Sequence, residues 1–140
     1  MSDPLVTIVT PSFNQGRFIR ATIESVLEQD YPRLEYIVMD GGSTDATAAI
    51  AAEYGDRLAW ISEPDRGQAH AINKGFRMAR GDIVAWINSD DLLFPGAVSR
   101  AVAALRADPA AGAVYGEGCL IDGDGNSKGR FPATEPFNLW

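Results

Sequence analysis

The chain has 140 residues, enough for a domain with its own hydrophobic core, and 46% of them are hydrophobic, so it is expected to fold. Against 12 basic residues stand 19 acidic ones, a net charge of -7 that argues against a general nucleic-acid or anionic-membrane partner. One cysteine, Cys119, excludes an intrachain disulfide and reads as a small buried apolar residue; no apolar run is long enough to cross a bilayer and no signal peptide precedes Leu5, so a cytoplasmic location is expected.

In chain order, Leu5 to Thr10 is a first buried strand that Pro11 stops. Ser12, Asn14 and Gly16 make the turn into a helix, with Ile19, Ile23, Val26 and Leu27 on one face. Leu34 to Met39 forms a second strand delivered to Asp40. Gly41 to Asp45 is a flexible turn with helix-capping residues, Ser43 and Asp45. The next helix turns Thr47, Ile50, Ala51 and Tyr54 inward and closes at Gly55. Leu58 to Ile61 is a short third strand, followed by a polar loop from Glu63 to Gly67. A helix from Gln68 to Arg80 points Ala69, Ile72, Phe76 and Ala79 inward. The strand that follows, Ile83 to Ile87, is apolar throughout and reads as buried on both faces; it runs directly into Asn88, Ser89, Asp90 and Asp91. Pro95 opens another helix, with Val98, Ala101, Val102 and Leu105 on its apolar face. Val114 to Ile121 is half of a hairpin whose turn lies between Asp122 and Asn126. Strands alternate with helices, which implies an α/β fold: a mainly parallel sheet with helices on both faces, closed by a C-terminal hairpin, in a single domain over residues 1–140.

Three loops leave the carboxyl edge of this sheet: Pro11 to Gly16, Asp40 to Asp45, and Asn88 to Leu92. In open α/β sheets, ligands bind at that edge. The loops are rich in hydroxyls, amides and carboxylates. Two adjacent acids repel, and a hard divalent cation, Mg²⁺ or Mn²⁺, relieves that repulsion through oxygen ligands. No Gly-x-Gly-x-x-Gly follows the first strand, and there is no glycine-rich phosphate loop ending in lysine. Phosphates must therefore be met by metal and side chains.

Four pieces in register carry a resemblance: Thr7 to Asn14, Val38 to Asp45, Asp65 to Gly75, and Asn88 to Asp91. Together they resemble family 2 glycosyltransferases with the GT-A fold, a Rossmann-like nucleotide-binding half, over nearly the whole chain. The resemblance implies transfer of a sugar from a nucleoside diphosphate donor, UDP-linked in most cases, to an acceptor glycan or lipid-linked sugar, with inversion. It implies nucleotide-sugar contacts from Thr10, Pro11, Ser12, Asn14, Asp40, Arg66 and Asp90. Pro11 and Ser12 would line the base pocket, Asp40 would bond the base through its imide edge, and Arg66 would lie against the base or the diphosphate. Asp90 would reach the ribose or donor sugar, and Asp91 would ligate the metal, shared with Asp90. The motif's first acid is replaced by Asn88 or Ser89. His70 stands where related sequences often carry Asp, and reads as a surface residue. Asn73 and Lys74 read equally as solvated surface or as functional residues.

The inverting base is expected beyond Trp140, in an acceptor-binding part that this chain lacks. The apolar tail from Phe131 to Trp140 fits a chain cut before its natural end, with peripheral attachment at the inner membrane face in the full-length protein. Two alternatives remain: a sugar nucleotidyltransferase, which would bring a basic glycine-rich loop after the first strand, and a catalytically silent nucleotide-binding module. Asp122 to Asn126 resembles the start of a calcium loop, but Ser127 replaces its glycine and Ala133 its final acid, so a hairpin turn is expected.

Overall fold

A computed structural model describes residues 2–131; the apolar tail from Pro132 onward and Ala133 lie outside the described residues. By contacts, the chain divides into two compact units, residues 1–99 and 100–140.

The first unit holds a four-stranded parallel sheet in the order β3-β2-β1-β4, with β1 at Val6–Ser12, β2 at Leu34–Asp40, β3 at Ala59–Ser62 and β4 at Ile83–Trp86. Helices α1 (Ile19–Leu27), α2 (Thr47–Ala52) and α3 (Gln68–Met78) connect the strands. The register pairs Ser12 with Asp40 and Asp40 with Ser62, so three strands end level at one edge.

Pro11 does not stop β1. It sits inside the strand, paired with Met39. Pairing with β4 ends at Val9, so at Pro11 the strand has a ladder partner on one side only and a missing N–H is tolerated.

Every residue of β1 is buried, which requires cover on both faces. On one face Val9, Ile37 and Met39 pack against Ala71 of α3, flanked by Ile61 and Phe76. The expected inward face of α3 is shifted: Ala71 and Gly75 are its buried residues, while Ala69 is exposed. Small residues let the helix approach closely. A Cβ on Gly75 would lie 2.5 Å from Val9 Cγ1.

Alternation along β1 and β2 turns Ile8, Thr10, Tyr36 and Val38 to the opposite face, with Thr10 Oγ1 and Tyr36 Oη 2.9 Å apart. Burial pushes the Tyr36 phenol well above its ordinary pKa. Helices α1 and α2 pack on one another and bury Ile19, Ile23, Val26 and Ala51. Fully burying one such Ile or Val side chain contributes roughly 1.5–3 kcal/mol.

Strand β4 is not buried on both faces. It is a sheet edge among the described residues, and Trp86 is 57% exposed, edge-on to Phe76. Its apolar composition alone did not reveal that position.

Helix α4 (Ala97–Ala107) buries Val98 and Val102, as its spacing predicts. It begins after Pro95, because Gly96, at φ +71°, breaks the helical backbone. In the second unit, β5 (Cys119–Ile121) and β6 (Ser127–Arg130) form an antiparallel hairpin. The expected strand from Val114 forms only over its last three residues, and both hairpin strands are exposed. Cys119 is therefore exposed, contrary to its expected burial. In the turn, Asp122 Oδ1 accepts the N–H groups of Asp124 and Asn126 at 3.0 and 2.9 Å. Its carboxyl is drawn down to about 2, chiefly by the Lys128 ammonium and the Asn126 N–H. This carboxylate closes a hairpin.

Candidate functional site

At the level strand ends the first unit opens a cleft of about 680 Å³. Strand β1 and its turn supply Pro11, Ser12 and Phe13, and β2 is followed there by Gly41. The β3–α3 loop supplies Pro64, Asp65 and Gly67; α3 adds Gln68 and Ala71; Asn88, Ser89 and Asp90 come from the end of β4.

Ser12 is 5% exposed, and its Oγ has no hydrogen-bond partner among the described residues. A buried unsatisfied hydroxyl costs about 1–3 kcal/mol, a cost that a ligand can remove.

Asp40 lies at the same edge but is 1% exposed. Its Oδ2 accepts the N–H of Gly42 at 3.0 Å, the N–H of Ser43 at 2.8 Å and the hydroxyl of Ser62 at 2.7 Å. Its Oδ1 accepts the Ser43 hydroxyl. The carboxylate thus folds the Gly41–Asp45 loop back over the end of β2.

That loop is locked to the one after β1. Asn14, at φ +52°, donates its N–H to Ser43 Oγ and accepts from Thr44 N through Oδ1. Asp45 accepts from Gly16 N and Thr47 N, both at 2.9 Å, and from the Thr47 hydroxyl, and these bonds hold its carboxyl below the usual range. Asp45 lies one residue before the N-cap, Ala46, and from there accepts the N–H of Thr47, the first residue of α2. Ser43, by contrast, serves Asp40 and Asn14.

Of the residues singled out from sequence, Pro11, Ser12 and Asp90 line the cleft. Thr10 is fully buried against Tyr36. Arg66 is exposed, and its main-chain N–H donates to His70 Nδ1 at 3.0 Å, which makes His70 a half-buried clasp for this loop. Lys74 pairs with Glu63 at 2.7 Å, which lowers the Glu63 pKa.

Asp90 and Asp91 are both exposed. Asn88 Nδ2 donates to Asp91 Oδ2 at 3.1 Å, while Gln68 Nε2 donates to Asn88 Oδ1. Sequence reasoning missed Asp65 and Gln68 because it took the loops after β1, β2 and β4. In a parallel sheet the loop after β3 opens at the same edge, and that was the available signal.

The donor set suits a hard divalent cation. It consists of carboxylate and amide oxygens, with no cluster of three or more acidic, His or Cys side chains among the described residues. Asp90 and Asp91 would hold such an ion, leaving other positions to phosphate and water, the usual pattern for Mg²⁺.

Residues 7–130 match the sequence profile of glycosyl transferase family 2. The chain belongs to that family. This family 2 chain is 36% identical over 126 residues to the chondroitin synthase of Escherichia coli, which covers 88% of the chain and 18% of the synthase. It superimposes on the mannosyltransferase PcManGT of Pyrobaculum calidifontis, in complex with GDP-Man and Mn²⁺, with a TM-score of 0.73 and 35% identity, over 87% of this chain and 37% of that one. Residues 1–349 of S. aureus TarS in complex with UDP-GlcNAc give a TM-score of 0.67 and 25% identity, over 74% of this chain and 31% of that one. The chain therefore spans between 18% and 37% of the length of these proteins. The GT-A fold expected from the sequence is the fold observed. No helix of the described residues is long and apolar enough to cross a membrane.

Proposed function

We propose that this chain is the donor-binding part of a metal-dependent, inverting glycosyltransferase that uses a nucleoside-diphosphate sugar. One observation carries the reading: the carboxyl-edge cleft joins the unpartnered Ser12 hydroxyl to the acidic end of β4. Pro11 and Ser12 line the base end. Asp90 faces the ribose or donor sugar, and Arg66 meets the diphosphate. Asp91, steadied by Asn88, would hold a Mg²⁺ or Mn²⁺ ion with Asp90. When bound, such an ion would supply Lewis-acid stabilisation of the negative charge on the departing diphosphate. The sugar passes through a state of oxocarbenium character while a base takes the acceptor's proton. The Mn²⁺ and nucleotide-sugar complexes of the neighbours support the metal and the donor class.

The test is a thermal-shift screen of nucleoside diphosphates with and without Mn²⁺, since a ligand that binds only the folded chain raises its melting temperature. A shift that needs both nucleotide and Mn²⁺, and that Asp91→Ala abolishes, is expected. Nucleotide shifts indifferent to Mn²⁺ and to Asp91→Ala would leave only a metal-independent binding module.

A further inference from the structure

His70 is the single histidine of the chain, and it sits in the first turn of α3. Gly67 is the N-cap of that helix and has no side chain to cap it with. Three residues further on, a capping box places a Glu or Gln that reaches back to a main-chain N–H. In this chain an imidazole takes that place: His70 Nδ1 accepts the Arg66 N–H at 3.0 Å. The bond lies in one wall of the cleft, because Asp65 and Gly67 line the cleft on either side of Arg66.

The bond fixes the state of the ring. A main-chain N–H can only donate, so Nδ1 carries its lone pair and no proton. A second proton on the ring turns Nδ1 into a donor and sets two N–H groups against each other. The loop is tied elsewhere by Glu63 N to the Asp40 carbonyl at 2.9 Å and by Gly67 N to Asp65 Oδ1 at 2.8 Å. The charged groups on the surrounding elements are Glu63, Asp65 and Arg66 in the loop, Lys74 one turn along α3, and Asp90, which lines the same cleft from the end of β4. Glu63 and Lys74 pair with each other at 2.7 Å. Side chains of these types ordinarily change charge below about pH 5 or above about pH 10, whereas imidazoles do so between about pH 5 and 8.

We propose that neutral His70 is a positioning residue for this wall of the cleft, and that a proton on Nδ1 releases the wall and weakens nucleotide binding on mild acidification. This rests on the nucleotide-binding reading above. His70 acts through Arg66 N, whose bond keeps Asp65 and Gly67 in place. Affinity then falls with the fraction of molecules whose wall is in place.

The experiment compares wild type with His70→Gln and His70→Ala at about pH 7.5 and about pH 5.5, on either side of the ordinary imidazole value. Gln keeps an acceptor in the first turn and does not titrate; Ala removes the acceptor. Calorimetric titration with UDP and with GDP at fixed Mn²⁺ reads the cleft. Amide hydrogen exchange of the ligand-free chain reads the loop. Titration of the nucleotide phosphates is common to all three proteins, so the signal is each protein's ratio to His70→Gln. Wild type should match His70→Gln at the higher pH and bind about three- to twelve-fold more weakly than it at the lower, the net contribution of one hydrogen bond. His70→Ala should be weaker than His70→Gln by a similar factor at both. Protection of the Arg66 amide should follow the same order. A wild-type ratio to His70→Gln that is the same at both pH values overturns the proposal, as does an Arg66 amide whose protection is the same in all three proteins. If neither nucleotide binds any of them, the nucleotide reading fails, and Arg66 exchange alone decides whether a proton on His70 moves the loop.

Discussion

Asn88 Nδ2 donates to Asp91 Oδ2 at 3.1 Å, and the other end of the same amide accepts from Gln68 at the start of α3. Both ends of Asn88 are therefore fixed, and the Asp91 carbonyl is held by the Thr22 hydroxyl at 2.8 Å. Asp91 is exposed, yet its position is set by α1 and α3 together. Partners that orient a metal ligand typically matter by about 10- to 100-fold in affinity. Asn88→Ala is expected to weaken the Mn²⁺ dependence of UDP binding by a factor in that range while leaving the melting temperature of the ligand-free chain nearly unchanged. A Mn²⁺ titration at fixed UDP measures it, and an unchanged midpoint would remove Asn88 from this role.

Gly75 is where α3 meets the sheet. A methyl group there would sit 2.5 Å from Val9 Cγ1 and 3.1 Å from Met39 Cγ, inside a core cluster with no slack. Alanine is the better helix former by about 1 kcal/mol. Overpacking costs about 1–3 kcal/mol, so the clash should win. Gly75→Ala is expected to lower the urea midpoint with an unchanged m-value. A more stable variant would show that α3 can move away from β1.

The misread face of α3 shows what the sequence could and could not carry. Periodicity marked Ile72 and Phe76 as inward; Phe76 flanks the core cluster, and Ile72 is half-buried. It could not show that the closest approach is made by Ala71 and Gly75, because small residues add nothing to an apolar pattern. The parallel sheet was legible from β1 and β2, whose long apolar runs are buried on both faces. The same reasoning failed for β4, since a run of apolar residues does not state how many neighbours its strand has. In the site, the loops were legible as polar clusters after strands. The bonding within them was not: Thr10 pairs with Tyr36 and Asp40 accepts from Ser62, partners distant in sequence that no local pattern announces.

Glu35 supplies a pH dependence at the opposite end of the sheet. Its carboxylate accepts from the Thr7 hydroxyl at 2.6 Å, from Arg80 N at 2.9 Å and from Arg80 Nε at 2.6 Å. Burial alone would raise its pKa, but these donors together outweigh it and hold the pKa below the ordinary value of 4.5. A folded-state pKa below the unfolded one gives stability that is present above the unfolded pKa and lost as pH falls through the folded one. Wild type is thus expected to exceed Glu35→Gln in unfolding free energy at pH 7, with the gap shrinking below about pH 4.5. Urea melts of both proteins across pH 3 to 7 give the difference curve. A gap independent of pH would mean that the carboxylate charge contributes nothing.

Asp40 is buried at the end of β2 and does not line the cleft, so its substitution should act through the loop it holds. Asp40→Ala strips the acceptor from four donors at once: Gly42 N, Ser43 N, Ser43 Oγ and Ser62 Oγ. Each donor left buried and unpaired costs about 1–3 kcal/mol, so even with some reaching water the loss should exceed about 3 kcal/mol. The Gly41–Asp45 loop also carries the Ser43 and Thr44 contacts to Asn14, so the turn after β1 should loosen with it. Every nucleoside diphosphate should then bind more weakly by a similar factor. Chemical denaturation together with calorimetric titration of UDP, CDP, GDP and ADP distinguishes this from direct recognition. Were Asp40→Ala to remain as stable as wild type and lose UDP selectively, Asp40 would be touching the base rather than holding the loop.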